Sequence, residues 1–180
     1  PERLARASRG MMMPDAFAWS LTKNVNAEYT IASTSQMLDA RARTWSDEVV
    51  KALGIKRSLF PEVVEPGTKA GSYRDGASKR SLDVVLAAGH DTAAAVAAIP
   101  AEGDRPWAYV SSGSWSLIGV ETREPVLTPA AREASVTNEG GVEGTYRFLS
   151  NVNGLWLLQE CMRMWEREGA PQDIAQVCDD

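Results

Sequence analysis

Within residues 4–22 the apolar positions Leu4, Met11, Met12, Phe17, Trp19 and Leu21 return at helical spacing, and Pro14 reads as a first-turn proline where the helix restarts. Thr44-Trp45-Ser46-Asp47 is expected to open a second helix, because Val49, Val50 and Leu53 follow at the same spacing and Gly54 is a natural stop. Turns at Pro61 and Pro66-Gly67 interrupt the pattern, and the polar stretch 72–80 reads as a surface loop. The character then changes. Asp83-Val84-Val85-Leu86-Ala87-Ala88 is a short apolar run, β-branched at its middle, with the pattern of a buried strand. It ends at Gly89-His90-Asp91, after which Thr92 is expected to cap an alanine-rich helix over 93–99.

Past a polar connection at Glu102, Gly103 and Asp104, strands over 107–111 and 114–120 read as a hairpin turning at Ser112-Gly113. A short helix led by Pro129, a loop over 137–141 and a strand over 146–149 follow. The last long helix is expected over 153–168, with Asn153 as its N-cap, Leu155, Trp156 and Leu158 in the core, and Gly169 at its end. There is no internal repeat. The mixture of strands and helices indicates the α/β class.

Composition narrows the function classes. With 180 residues, 44% apolar and 24% charged, the chain has the make-up of a soluble globular protein, as one domain or pieces of two. A net charge of -5 argues against nucleic acid or an anionic membrane surface as partner. No apolar run is long enough to span a bilayer, and Pro1-Glu2-Arg3-Leu4-Ala5-Arg6 lacks the apolar core of a signal peptide. Cys161 and Cys178 have no neighbours at metal-ligand spacing, and such sparse cysteine usage fits a reducing cytoplasm. His90 is the only histidine, which excludes a multi-histidine metal site within these residues. The start without Met and the stop at Cys178-Asp179-Asp180, within what reads as a helix, are what a fragment would show.

Candidate chemistry gathers at the end of the 83–88 run. In open α/β sheets ligands bind at the carboxyl ends of strands, and Asp91 falls there. Gly89 would let a substrate approach the backbone, and the Asp91 carboxylate would accept the proton of an attacking alcohol. The plainer alternative is that Asp91 only caps the following helix. A Ser-His-Asp relay is disfavoured, since adjacent His90 and Asp91 side chains on a strand point to opposite faces. The turn Ser111-Ser112-Gly113-Ser114 has donors that can cradle phosphate oxygens, although such a turn is commonly no more than a turn. No P-loop or dinucleotide fingerprint is present.

Taken in order, four stretches resemble the FGGY carbohydrate kinases. They are Ala88-Gly89-His90-Asp91-Thr92-Ala93-Ala94-Ala95-Val96, Tyr109-Val110-Ser111-Ser112-Gly113-Ser114-Trp115-Ser116-Leu117, Thr137-Asn138-Glu139-Gly140-Gly141 and Asn151-Val152-Asn153-Gly154-Leu155-Trp156-Leu157-Leu158-Gln159. Met13-Pro14-Asp15, Glu28-Tyr29-Thr30, Ala32-Ser33-Thr34, Gln36-Met37-Leu38-Asp39 and Phe60-Pro61-Glu62 are similar to that family's first domain.

The resemblance implies the two-domain actin-like, ribonuclease-H-like fold. Residues 1–99 would be the later part of the N-terminal, sugar-binding domain, and 106–180 the opening part of the C-terminal, ATP-binding domain. It implies Asp91 as catalytic base, with His90, Asp91, Thr92 and Asn151 contacting the sugar. Ser114, where the family usually carries threonine, and Gln159 would contact ATP. The implied reaction moves a phosphoryl group from ATP, with Mg2+, to the primary hydroxyl of a ketose. L-rhamnulose is the expected acceptor, with L-fuculose, ribulose and xylulose as neighbours. A non-catalytic sugar- or nucleotide-binding relative is the alternative from another class. The family's first phosphate loop and its glycine-rich adenosine site have no counterpart in these residues. The 180 residues alone are therefore expected to be inactive.

Overall fold

The computed structural model describes residues 6–101 and 106–179, and the backbone alone for Asp179. Leu4 and the rest of the first five residues, the connection Glu102-Gly103-Asp104, and Asp180 lie outside the described residues. In chain order the first half forms α1 (Met13–Thr22), β1 (Ala27–Glu28), α2 (Tyr29–Ser33), β2 (Leu38–Asp39), β3 (Thr44–Trp45) and α3 (Asp47–Ala52). A 3-10 turn (Arg57–Leu59), β4 (Val63–Val64), β5 (Lys69–Arg74), β6 (Ser81–Val85) and α4 (Asp91–Ala97) complete it. The second half adds β7 (Tyr109–Ser112), β8 (Trp115–Thr122), α5 (Pro129–Glu133), β9 (Thr137–Gly140), β10 (Tyr146–Asn153), α6 (Trp156–Arg167) and α7 (Ile174–Asp179). The α/β expectation holds.

Several boundaries differ from the sequence reading. Arg6 is helical, residues 7–12 carry no regular structure, and α1 starts at Met13, because Pro14 has no amide hydrogen and fits only a first turn. Thr44 and Trp45 are strand, and the helix opens after Ser46, whose hydroxyl accepts from the Val49 amide. Of the polar stretch 72–80, residues 75–80 form the expected surface loop, while 72–74 belong to β5, which pairs with β6 across it. The run 83–88 is not a buried strand. Among the described residues β6 pairs only with β5, Asp83 and Val85 are exposed, and the buried residue is Leu86, just past the strand.

Two small apolar clusters hold the first half. Ala18 of α1, Ala70 and Leu86 pack with Val64 and Val84. Ala27, Ala32 and Trp45 pack with Met37, Leu38, Phe60 and Val63. The Trp45 indole satisfies its N–H on the Pro61 carbonyl at 2.7 Å and lies 4.7 Å from the Phe60 ring. The second half is built on one antiparallel sheet of order β7-β8-β10-β9. β10 pairs with β8 from Tyr146↔Thr122 to Asn153↔Trp115, and with β9 from Tyr146↔Gly140 to Leu149↔Thr137. The expected loop 137–141 is thus largely strand, and the expected strand 146–149 extends to Asn153. The last long helix, α6, begins at Trp156, so Asn153 is not its cap. None of its residues is buried, and Leu155 and Trp156 are half exposed rather than core.

The halves meet along the β9–β10 turn. The Gly140 amide donates to Ser33 Oγ and the Tyr146 hydroxyl to the Ala40 carbonyl, each at 2.7 Å. Between them lies Arg43. Its guanidinium stacks 3.7 Å from the Tyr29 ring centre and 5.0 Å from that of Tyr146, and it forks onto both Glu65 oxygens at 2.8 and 2.9 Å. It also reaches the Gly144 and Thr145 carbonyls at 3.4 Å.

Candidate active site

Glu28, only 1% exposed, is the anchor of the site. As the N-cap of α2 it accepts from the amides of Thr30 and Ile31 and from the Thr30 hydroxyl at 2.6 Å. Its Oε2 also accepts the Gly89 amide at 2.8 Å, while Thr30 Oγ1 accepts the His90 amide at 3.2 Å. The segment leading to Asp91 is therefore pinned to a buried carboxylate sixty-one residues earlier. Gly89 serves this contact. A Cβ there would come 3.0 Å from Glu28 Oε2 and 3.1 Å from Pro14 Cβ. The close approach at Gly89 is thus made by the protein itself, not left open for a substrate.

Beneath Glu28 lies Asp15, 3% exposed, whose Oδ1 accepts the Glu28 amide at 3.0 Å. Burial, and secondarily the Glu28 charge, raise its pKa from 3.8 to about 6, against the pull of the Glu28 and Met12 amides.

Asp91 is the first residue of α4 rather than the end of a strand, and the helix runs to Ala97. Thr92 is not its cap: Thr92 is buried within the first turn, and its amide donates to Asp91 Oδ1 at 2.7 Å. Asp91 Oδ2 has no protein partner among the described residues, and the side chain is 96% exposed. Because the chain turns into a helix here, His90 and Asp91 do not point apart as strand neighbours would. His90 Nε2 lies 3.7 Å from Asp91 Oδ1. The other imidazole nitrogen, Nδ1, meets Arg147 Nη2 at 3.0 Å.

Arg147 is fully buried on β10. Its Nη2 also donates to Glu139 Oε2 at 2.9 Å and its Nε to the Gly140 carbonyl at 3.0 Å. Burial first, and the Arg147 charge second, hold the His90 pKa below 6.5, against Glu139, Asp91 and Glu28. Sequence reasoning missed Glu28, Arg147 and Glu139 as site residues. The available signal was an arginine between the otherwise inward residues Tyr146 and Leu149 on one strand.

α4 packs against β7, and the turn that follows β7 carries Ser114, which is exposed. The start of α6 docks on that turn. The Leu155 and Trp156 amides donate to the Gly113 and Ser114 carbonyls at 2.9 and 3.2 Å. Gly154 makes the approach possible, since a Cβ there would fall 2.4 Å from the Gly113 carbonyl oxygen and 2.7 Å from Ser116 Oγ. Gln159 is exposed on the first turn of α6. Asn151 sits exposed on β10 opposite Leu117. A cavity of about 990 Å³, lined by Tyr29, Ser33, Gln36 and Asn138 among others, contains none of His90, Asp91, Thr92, Ser114, Asn151 and Gln159. Among the described residues no three acidic, histidine or cysteine side chains gather as a metal cage, and no helix is long and apolar enough to cross a membrane.

Comparison with known proteins places this geometry. The model of the N-terminal domain of the FGGY family of carbohydrate kinases matches residues 1–98, and that of the C-terminal domain matches residues 108–178. The chain belongs to the FGGY family of carbohydrate kinases. Among relatives in this family, the rhamnulokinase of Bacteroides thetaiotaomicron is 44% identical over 178 residues, covering 97% of the chain and 36% of the relative. The rhamnulokinase of Enterococcus faecalis is 42% identical over 182 residues, covering 99% of the chain and 37% of the relative. The chain thus spans about a third of the length of the curated relatives it matches. Among solved structures, a xyloylose kinase from Brucella ovis superposes with a TM-score of 0.74 at 21% identity, over 93% of this chain and 34% of that one. A xylulose kinase from Rhodospirillum rubrum gives 0.66 at 18% identity, over 86% and 32%. The fold is that of FGGY sugar kinases, the actin-like fold, of which this chain forms a portion.

Proposed function

We propose that this chain carries the sugar-side base and part of the nucleotide corner of an ATP-dependent ketose kinase, with L-rhamnulose as acceptor and L-rhamnulose 1-phosphate as product, working in the cytoplasm in L-rhamnose catabolism. The observation that carries this reading is the Asp91 carboxylate: fully solvent-facing, yet mounted on a backbone that buried Glu28 and Thr30 hold in place. A base in phosphoryl transfer needs a fixed position and an open face toward the acceptor. Its Oδ1 is oriented by the Thr92 amide, which leaves Oδ2 for the sugar hydroxyl. The substrate assignment is supported by the 44% identity to a rhamnulokinase.

In this reading residues 1–99 belong to the N-terminal, sugar-binding domain and 106–180 to the C-terminal, ATP-binding domain. His90, Thr92 and Asn151 contact the sugar, and Ser114 and Gln159 contact ATP. The exposed Ser114 hydroxyl, on the turn that α6 grips, fits a phosphate neighbour, and Gln159 stands on the gripping helix itself. With no acidic cage among the described residues, Mg2+ would be held mainly by the nucleotide's phosphates, where it neutralises developing charge.

The test is a chimera in which residues 1–178 replace the matching segment of the Bacteroides thetaiotaomicron rhamnulokinase. It is assayed with Mg-ATP on L-rhamnulose, L-fuculose, L-ribulose, D-xylulose and glycerol. L-rhamnulose should give the highest kcat/KM, and Asp91→Ala should lower kcat by about 10²–10⁴-fold with Mg-ATP binding intact. An Asp91→Ala chimera that keeps its rate would remove Asp91 as base. A folded chimera that binds Mg-ATP and phosphorylates none of the sugars would favour a binding relative. The 180 residues alone should show no turnover under saturating Mg-ATP and sugar.

A further inference from the structure

At the Asp91 end of the site, Arg147 joins the two family-matched segments by a hydrogen bond to His90. It stands on β10, inside residues 108–178, while His90 and Asp91 lie inside residues 1–98. A fully buried guanidinium in a strand that otherwise buries Tyr146 and Leu149 carries a large desolvation cost. Its contacts show what that position serves. Nε is committed to the Gly140 carbonyl, and the two hydrogens of Nη2 go to Glu139 Oε2 at 2.9 Å and to His90 Nδ1 at 3.0 Å. A guanidinium has donors and no acceptor, and it does not deprotonate in proteins. The nitrogen it faces must therefore offer a lone pair. Glu139 Oε2 is 3.9 Å from the same Nδ1, too far to compete as an acceptor for a proton there.

We propose that Arg147 is a positioning residue for the His90–Asp91 pair: by donating to His90 Nδ1 it fixes the neutral imidazole with its proton on Nε2, aimed at the Asp91 carboxylate. The Nε2–H then faces Asp91 Oδ1, which also takes the Thr92 amide, at 3.7 Å. That distance exceeds a direct hydrogen bond, so the Nε2–H acts on Oδ1 electrostatically across it. The arrangement turns Oδ1 toward protein donors and leaves Oδ2 outward. It also makes the pair depend on how the two segments sit together, since drawing β10 away removes the donor from Nδ1. The catalytic significance rests on the reading of Asp91 as base; the tautomer does not.

The experiment uses the 180-residue chain itself, because it holds a single histidine and its imidazole nitrogens give one unambiguous set of ¹H–¹⁵N signals. The groups facing His90 are Arg147 and Glu139 from the second segment, and Asp91 and Glu28 from the first. The unmodified chain should show the Nε2–H tautomer alone at pH 8 and should titrate below 6.5. Arg147→Met should give a tautomer mixture and raise the His90 pKa, because the opposing cationic charge is gone, with backbone amide dispersion reporting that the chain is still folded. Arg147→Lys, which keeps a donor and the charge, should retain the Nε2–H form. A proton on Nδ1 in the unmodified chain overturns the proposal. So does a folded Arg147→Met chain with an unchanged tautomer and titration. If Arg147→Met unfolds, the unmodified chain and Arg147→Lys decide the matter. Because this readout needs no turnover, a failed kinase assay and a failed tautomer lock are separate results.

Discussion

Asp15→Asn isolates the cost of one buried carboxylate. Asp15 sits under Glu28 with Oδ1 satisfied by the Glu28 amide and Oδ2 buried without a partner. Its pKa is raised from 3.8 to about 6. A raised acid means that the folded chain binds the proton more tightly than the unfolded chain, so stability is greatest below about pH 4 and is lost as pH rises toward 6. A shift of this size, at about 1.4 kcal/mol per pH unit, corresponds to a loss on the order of 3 kcal/mol by pH 7. Asparagine keeps the acceptor for Glu28 and removes the charge. It also places an amide N–H₂ where Oδ2 had no partner, a penalty of about 1–3 kcal/mol that does not vary with pH. The measurable quantity is therefore the pH dependence of the difference. Urea unfolding at pH 4 and at pH 8 should show the variant gaining on the unmodified chain by about 2–3 kcal/mol between the two. A difference that is flat across this range would refute the argument that Asp15 holds its proton through burial.

Other outcomes follow from contacts already described. Arg43→Ala should cost about 1–3 kcal/mol in urea unfolding, and Arg43→Lys should recover less than half, because lysine can neither fork onto Glu65 nor stack on Tyr29. Gly154→Ala should lower stability by about 1–3 kcal/mol, since its Cβ meets the Gly113 carbonyl and Ser116. In the chimera the same substitution should raise the KM for Mg-ATP more than that for sugar; the reverse would detach Ser114 and Gln159 from the nucleotide. His90, held below its ordinary pKa, contributes stability above about pH 6.5 that is lost as pH falls and the unfolded chain takes up the proton first. His90→Gln should therefore gain on the unmodified chain between pH 7 and pH 5, as read by thermal unfolding.

How far the sequence could be read depended on the range of the forces involved. Gly89-His90-Asp91 ahead of an alanine-rich helix was visible because capping and helix propensity act within a few residues. The partners of that segment were not, because Glu28 and Arg147 reach it from sixty-one residues before and fifty-seven after. Thr137-Asn138-Glu139-Gly140 has the composition of a turn, and only pairing with β10 makes it a strand. Asn151 and Asn153 are likewise extended because β8 lies alongside, against their own preference for caps and turns. α6 taught the opposite lesson. Its apolar spacing reports a face suited to burial, and the described residues cover it only in part, leaving Leu158, Cys161, Met162 and Trp165 half-buried.

The seam between the halves also has a history in time. Tyr29, Ser33, Ala40 and Arg43 receive Gly140, Gly144, Thr145 and Tyr146, partners that lie 101 to 107 residues further along for the hydrogen-bonded pairs. A ribosome adding about 5–20 residues per second makes the first side of this joint roughly 5–20 s before the second. During that interval the Ser33 hydroxyl, the Ala40 carbonyl and the face of Tyr29 stand open. Arg43 can already occupy its bond to Glu65, twenty-two residues away, and lie over the Tyr29 ring. It would hold the landing surface in shape until β10 emerges, a placeholder during synthesis before it is a clamp in the finished fold.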